Sequence, residues 1–294
     1  MHLSLRITIL GKRLRFFAGL VLLASPLSAA SADVAIVDRA FKVSIDAALT
    51  MTTEAPAQTQ NLHTHTEFGY TWRSEGPTRS LIFDSVLVQA KNNGKPMMDS
   101  TMNREKFSFT ENGKTTEAPA ELAPPALRQM LRDSFGVPVF QRTLNEQGQE
   151  TSHQVLAKTG AKKLVDTGML ANGLLFHPLP PTGQAEWQAD TQISLGGGGY
   201  ATGKLTYKKI EGRLGTTYAI TGTLSNDNVP GADPRFVLKD VRCVVTGEET
   251  YDDGKKEWAS GRLKMDIAHS MTANGQPFST SKGVMMVTFG TRAQ

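Results

Sequence analysis

The chain has 294 residues, with 32 Lys and Arg against 28 Asp and Glu, and one cysteine. A lone thiol excludes an intramolecular disulfide, so the fold must be held by its core. The basic excess lies in the first 32 residues, where Arg6, Lys12, Arg13 and Arg15 stand with no acid. Residues 33–294 therefore carry no formal net charge, which argues against a nucleic-acid partner.

Those first residues read as an export leader. A basic start is followed by the apolar stretch Phe16–Leu27 and the small-residue end Ala30-Ser31-Ala32, the pattern a signal peptidase cuts. The apolar stretch is shorter than the roughly 20 residues of a membrane span, and no later run reaches that length. The reading is a signal peptide over 1–32 and a periplasmic or secreted protein over 33–294, with no transmembrane segment in the mature chain.

From Phe41 to Thr52 apolar and polar residues alternate, which predicts a strand with one buried face carrying Phe41, Val43, Ile45 and Leu49. A second strand follows over Leu62–Trp72, with Leu62, Phe68, Tyr70 and Trp72 on one face and His63, His65 and Glu67 on the other. Asn93-Gly94, Asn112-Gly113, Asp253-Gly254 and Asn274-Gly275 each separate strand-like runs and suit the positive φ of tight hairpins. One helix is expected over 124–135, opened by Pro124-Pro125, ended by Gly136, with Leu127, Met130, Leu131 and Phe135 at helical spacing. A weaker helical turn is expected over 162–170. Val237, Val241, Cys243 and Val245 are expected on one strand face, and His269 on the apolar face of Leu263–Ala273. The rhythm predicts a mainly β protein of antiparallel, curved sheet, a half-barrel or sandwich, with one or two short helices. The helix divides it into two β-rich stretches, 33–122 and 137–294.

The segment HPLPPTGQAEW ending at Trp187, the later KLTYKKIEGRLGTTYAITG and the run GEETYDDGKKEWASGRLKM resemble an uncharacterised family of secreted bacterial β-rich proteins. The strand-and-turn rhythm is also similar to periplasmic half-barrels that carry lipoproteins. Both resemblances imply a fold and name no functional residue.

Three constellations bear on chemistry. His63, His65 and Glu67 project from one strand face, and two imidazoles with a carboxylate are a metal-ligand set. Ser279-Thr280-Ser281-Lys282 matches S-x-x-K, but on a strand Ser279 and Lys282 point to opposite faces, and Lys158-Thr159-Gly160 precedes it in the wrong order. Met97, Met98 and Met102 are soft ligands or, more simply, gap-filling thioethers. Tyr70, Trp72, Leu127, Met130, Leu131 and Trp187 are the apolar residues expected to line a groove between sheet and helix, with the helix as a lid.

The leading expectation is a non-enzymatic carrier or binding protein for an apolar or amphiphilic ligand such as a lipid, with no cofactor. The alternatives are a structural or interaction protein of the envelope, and a metal-dependent hydrolase built on His63, His65 and Glu67.

Overall fold

In the computed structural model the alternation of residues 41–52 becomes β1 (Ile36–Glu54), hydrogen-bonded on one side to β2 (Ala57–Glu75). The structure describes residues 36–291 apart from 55, 112–113, 158–177, 182, 197–198, 212–215, 231–232 and 234. The export leader, the Asn112-Gly113 turn, Lys158-Thr159-Gly160 and the turn expected over 162–170 lie outside these residues.

The sheet grows outward from β1 in both directions. On one side stand β2, β3 (Thr78–Asn92), β4 (Lys95–Asn103), β5 (Lys106–Glu111) and β6 (Lys114–Pro119). A 3-10 turn at Ala120–Leu122 and helix α1 (Pro125–Ser134) follow. Then β7 (Pro138–Leu144) returns to pair with the first half of β3, and β8 (Glu150–Val155) pairs with β7. The remaining strands are β9 (Glu186–Gly196), β10 (Gly199–Ile210), β11 (Thr216–Asn226), β12 (Val229–Pro230), β13 (Phe236–Asp252), β14 (Glu257–Ala273) and β15 (Gln276–Thr291). β15 pairs with β1, so the two β-rich stretches flanking the helix share one antiparallel sheet in the order β6-β5-β4-β3-β2-β1-β15-β14-β13-β11-β10-β9. The path ends at β6 and β9, which are not paired with each other, so the sheet does not close into a barrel.

The sheet is nonetheless rolled. The Tyr207 ring on β10 lies 6.0 Å from the Trp258 ring on β14, although three strand spacings separate them, about 14 Å in a flat sheet. Glycines at inward positions make the tight roll possible. A Cβ on Gly203, Gly222 or Gly247 would lie within 3.0 Å of a neighbouring backbone carbonyl and of a leucine folded over it, Leu224, Leu205 and Leu263 respectively. A glycine under a leucine lets adjacent strands approach and twist without losing apolar cover.

Two turns have the expected backbone: φ is +48° and +77° at Asn93 and Gly94, and +51° and +79° at Asn274 and Gly275, both residues left-handed as a two-residue hairpin requires. Asp253-Gly254 differs. Asp252 pairs with Glu257 across a four-residue loop, and the left-handed residue is Lys256 at +56°. Gly76-Pro77, not picked out from the sequence, forms another tight hairpin with Gly76 at +57°. The strand around Cys243 also departs from its expected pattern. A bulge between Lys239 and Arg242, with Asp240 at φ +52°, shifts the register. An extra residue reverses the facing of what precedes it, so Leu238 is buried where Val237 was expected, while Val241, Cys243 and Val245 keep the inward face.

Helix α1 buries Leu131 completely, as well as Phe135 just beyond its end, and Gly136 donates its N–H to the Phe83 carbonyl at 2.8 Å. It is anchored to the core through these residues rather than standing over an opening as a lid.

Candidate functional site

The inward face of the sheet has two unlike ends. At one, aromatic side chains pack solidly: Phe41 stacks on Tyr70 at 5.3 Å, Trp187 stacks on Tyr207 at 4.1 Å, and Trp258 meets Tyr207, Tyr218 and Tyr251. Trp72 meets Phe140 edge-on, and the Arg142 guanidinium lies 4.6 Å from its ring. Tyr70, Trp72, Leu131 and Trp187, expected along a groove, are all buried in this closed end; Leu127 and Met130 on α1 are half-buried against the same core.

At the other end the same face stays apolar but is only half covered. Strand register sets out its rows. Phe109, Ser100, Val88, Thr66 and Ile45 lie side by side; the next row is Met98, Ala90, Thr64, Ala47, Met285 and Met265. The third is Asn92, Leu62, Leu49, Gly283, Ile267 and Cys243. Beyond it Met51, Ser281 and His269 share a row, then Thr53, Ser279 and Met271. Leu49, Met51, Leu62, Val88, Ile267 and Met271 are half-buried, and Phe109 and Met98 keep 38% and 36% of their surface exposed. An inward-facing Phe and Met this exposed mark a surface the described residues leave uncovered.

Polar atoms stand at the rim of this apolar wall. Asn92 Oδ1, His269 Nδ1 and Ser279 Oγ are each buried with no hydrogen-bond partner among the described residues. Burial also holds the His269 imidazole below its usual titration range, so the ring is a neutral donor and acceptor. Apolar walls with a few unpaired polar groups are the chemistry of a small-molecule site. The sequence placed His269 on the apolar face, and the structure agrees. Ser279 faces inward while Lys282 faces solvent, so the S-x-x-K match has no paired side chains. Met98 and Met102 face inward four strand residues apart, about 13 Å of backbone, and Met97, left unpaired by a bulge, is 56% exposed, so the three methionines do not converge on one point.

The expected metal ligands sit on the outer face. His63, His65 and Asp46 border a depression of about 320 Å³ floored by Ala48, Val284 and Met286. His63, His65 and Glu67 do share the face, but they are not a metal centre. His65 Nδ1 is 2.6 Å from Asp46 Oδ1 and its Nε2 is 3.4 Å from Glu67 Oε1, while Glu67 takes an ion pair from Lys42 at 2.6 Å. Side chains two residues apart on a strand are separated by about 6.6 Å of backbone, so they fan out along the strand and pair with neighbours across it. Among the described residues no group of three His, Cys, Asp or Glu is placed to hold a metal.

No family model matches the chain, and no curated protein matches it. Among solved structures, lipovitellin, in a study of its lipid–protein interactions, aligns over 87% of this chain at 11% identity with a TM-score of 0.43. The chain spans only 25% of that lipovitellin chain. OpdQ of Pseudomonas aeruginosa aligns over 87% of this chain and 99% of its own, at 5% identity and a TM-score of 0.24. Likenesses this weak carry no argument about fold or function.

Proposed function

We propose that this is a non-enzymatic binding or carrier protein for an apolar or amphiphilic ligand, working in the periplasm or outside the cell. The observation that supports it is the open end of the rolled sheet. Leu49, Met51, Leu62, Val88, Ile267 and Met271 form a half-exposed apolar wall, and Asn92, His269 and Ser279 stand unpaired at its rim. A tail lies along the wall, and a neutral hydrogen-bonding head meets the rim. Tyr70, Trp72, Leu131 and Trp187 form the packed floor behind it.

The test is binding of the neutral fluorophore N-phenyl-1-naphthylamine to the processed chain, with native mass spectrometry of protein purified from its own host. Saturable fluorescence enhancement, displaced by dodecanol and lost in Ile267→Asp, is expected. If the fluorophore does not bind and no amphiphile co-purifies, the carrier reading fails. A second reading, an envelope interaction protein, is favoured by the outer depression, where Val284 is 38% exposed beside Ala48 and Met286.

A further inference from the structure

At the closed end of the roll, away from the apolar wall, a second cavity of about 260 Å³ has different chemistry. Pro180, Pro181, Gly183, Gln184 and Ala185 and the β7–β8 turn at Gln147-Gly148 enclose it, Tyr218 and Tyr251 wall it, and Lys209 and Lys256 line it. The lysines are held by the fold: Lys209 donates its backbone N–H to the Ala185 carbonyl at 2.7 Å, and the Lys256 stem lies directly against Gly148. Neither lysine forms an ion pair among the described residues. The one carboxylate in the lining, Asp253, accepts a hydrogen bond from the Thr216 hydroxyl.

A third cation lies behind the wall. Arg142 is 4% exposed, its Nε has no hydrogen-bond partner, and its nearest carboxylate, Glu150, is 3.9 Å away and already bonded to His153 at 2.7 Å. Its cross-strand neighbours on the same face are Arg79 and His153, so its own surroundings compensate its charge poorly. Arg142 lies over the buried Trp72 ring at 4.6 Å, and its charge acts on Tyr251, which lines the cavity. A buried guanidinium without a full counter-charge, beside a polar cavity with two unpaired ammonium groups, is an unfilled demand for negative charge.

We propose that this cavity binds a compact oxyanion, a phosphate or carboxylate group, gripped by Lys209 and Lys256 and by the Tyr218 and Tyr251 hydroxyls, with Arg142 supplying positive potential from behind Tyr251. The proposal does not depend on the ligand of the open end. Oxygen acceptors on a small anion match the donors available, and charge-assisted bonds of this kind are the strong ones. The oxyanion is either a free ion or the head group of an amphiphile.

The experiment is calorimetric titration of the processed chain with inorganic phosphate and, separately, with dodecyl phosphate below its micelle concentration, for the wild type and for Lys209→Ala/Lys256→Ala. Both lysines lie at the surface of the cavity, so the double variant is expected to keep the wild-type thermal midpoint in phosphate-free buffer. Binding of inorganic phosphate, weakened about tenfold or more in the double variant, supports a site for the free ion. Binding of dodecyl phosphate alone, with the same loss, supports a head-group site. If neither phosphate shows binding that weakens when the two lysines are removed, the proposal is overturned. Binding of the neutral fluorophore at the open end should be unchanged in the double variant, so the two sites stand or fall separately.

Discussion

Gly283 is the position where the roll of the sheet can be tested most directly. It sits on β15 between Leu49 and Ile267 in the row that opens the apolar wall. A Cβ there would lie 2.3 Å from the Ala48 carbonyl oxygen, 2.9 Å from Leu49 Cα and 3.0 Å from Leu49 Cδ1. Two of these are backbone atoms, which cannot rotate away, so Gly283→Ala must push β1 and β15 apart by about 0.7 Å to restore a 3.0 Å contact. Overpacking of this kind costs about 1–3 kcal/mol, and contact with backbone puts the cost near the top of the range. Alanine recovers about 1 kcal/mol by stiffening the unfolded chain. The net loss is about 2 kcal/mol, or roughly 4–8 °C in the thermal midpoint of a domain this size. Gly254→Ala is the control, since its Cβ would meet only the Asp252 carboxylate at 3.4 Å, in ordinary contact; only the unfolded-chain effect remains, so this variant should be as stable as wild type or up to about 1 kcal/mol more stable. Urea unfolding followed by tryptophan fluorescence suits the measurement, because Trp72, Trp187 and Trp258 are all buried. If Gly283→Ala unfolds at the same urea concentration as wild type, β1 and β15 do not approach as closely as the structure has them, and the account of the roll is wrong.

Two further predictions follow from buried titratable groups. Desolvation pushes the buried Glu249 carboxyl well above the usual carboxylate range. A raised pKa contributes stability that is fully present below the unfolded value near 4.5 and is lost as pH climbs toward the folded value. From about pH 5 to about pH 8 the free energy of unfolding should therefore fall, by at most about 1.4 kcal/mol per pH unit from this group, and Glu249→Gln should flatten the decline; parallel pH profiles for the two proteins would count against it. Cys243 is fully buried, and desolvation pushes its thiol up to about 12. At about pH 8 a thiol reagent should leave the folded chain unmodified and label one equivalent once urea unfolds it; rapid labelling of the native protein would show that the inward face at Cys243 is open.

What was legible in the sequence was whatever strict alternation encodes. The facing of Phe41, Val43, Ile45, Tyr70, Trp72 and His269 follows from a period of two, and so do the antiparallel sheet and the failure of Ser279 and Lys282 to meet. Alternation loses count wherever a strand takes in an extra residue, and the bulge at Asp240 exchanged Val237 for Leu238. It also fails to separate residues that share a face from residues that converge. His63, His65 and Glu67 share one, yet His65 turns to Asp46 and Glu67 to Lys42 on the neighbouring strand. Gly247 and Gly283 read as interruptions of strand pattern, and their use under Leu263 and Leu49 emerges only when the neighbouring strand is placed. The groove was placed at the aromatics because large apolar side chains signal burial, but that same size leads them to fill space.

Size is what distinguishes the two ends of the inward face. An aromatic ring buries about 150–250 Å². At the closed end Phe41, Tyr70, Trp72, Trp187, Tyr207 and Trp258 lie on strands from both sides of the roll and meet. At the open end the inward positions in register include the small Ala47, Thr64 and Ala90 beside the buried Met285 and Met265, then Gly283 beside Leu49. The small side chains fill little space, and the longer residues on the same face, Met51, Met98 and Met271, are adaptable thioethers that stay half-buried or exposed. One pattern of alternation thus makes both a packed core and a half-covered wall, and the size of the inward residues is what separates them.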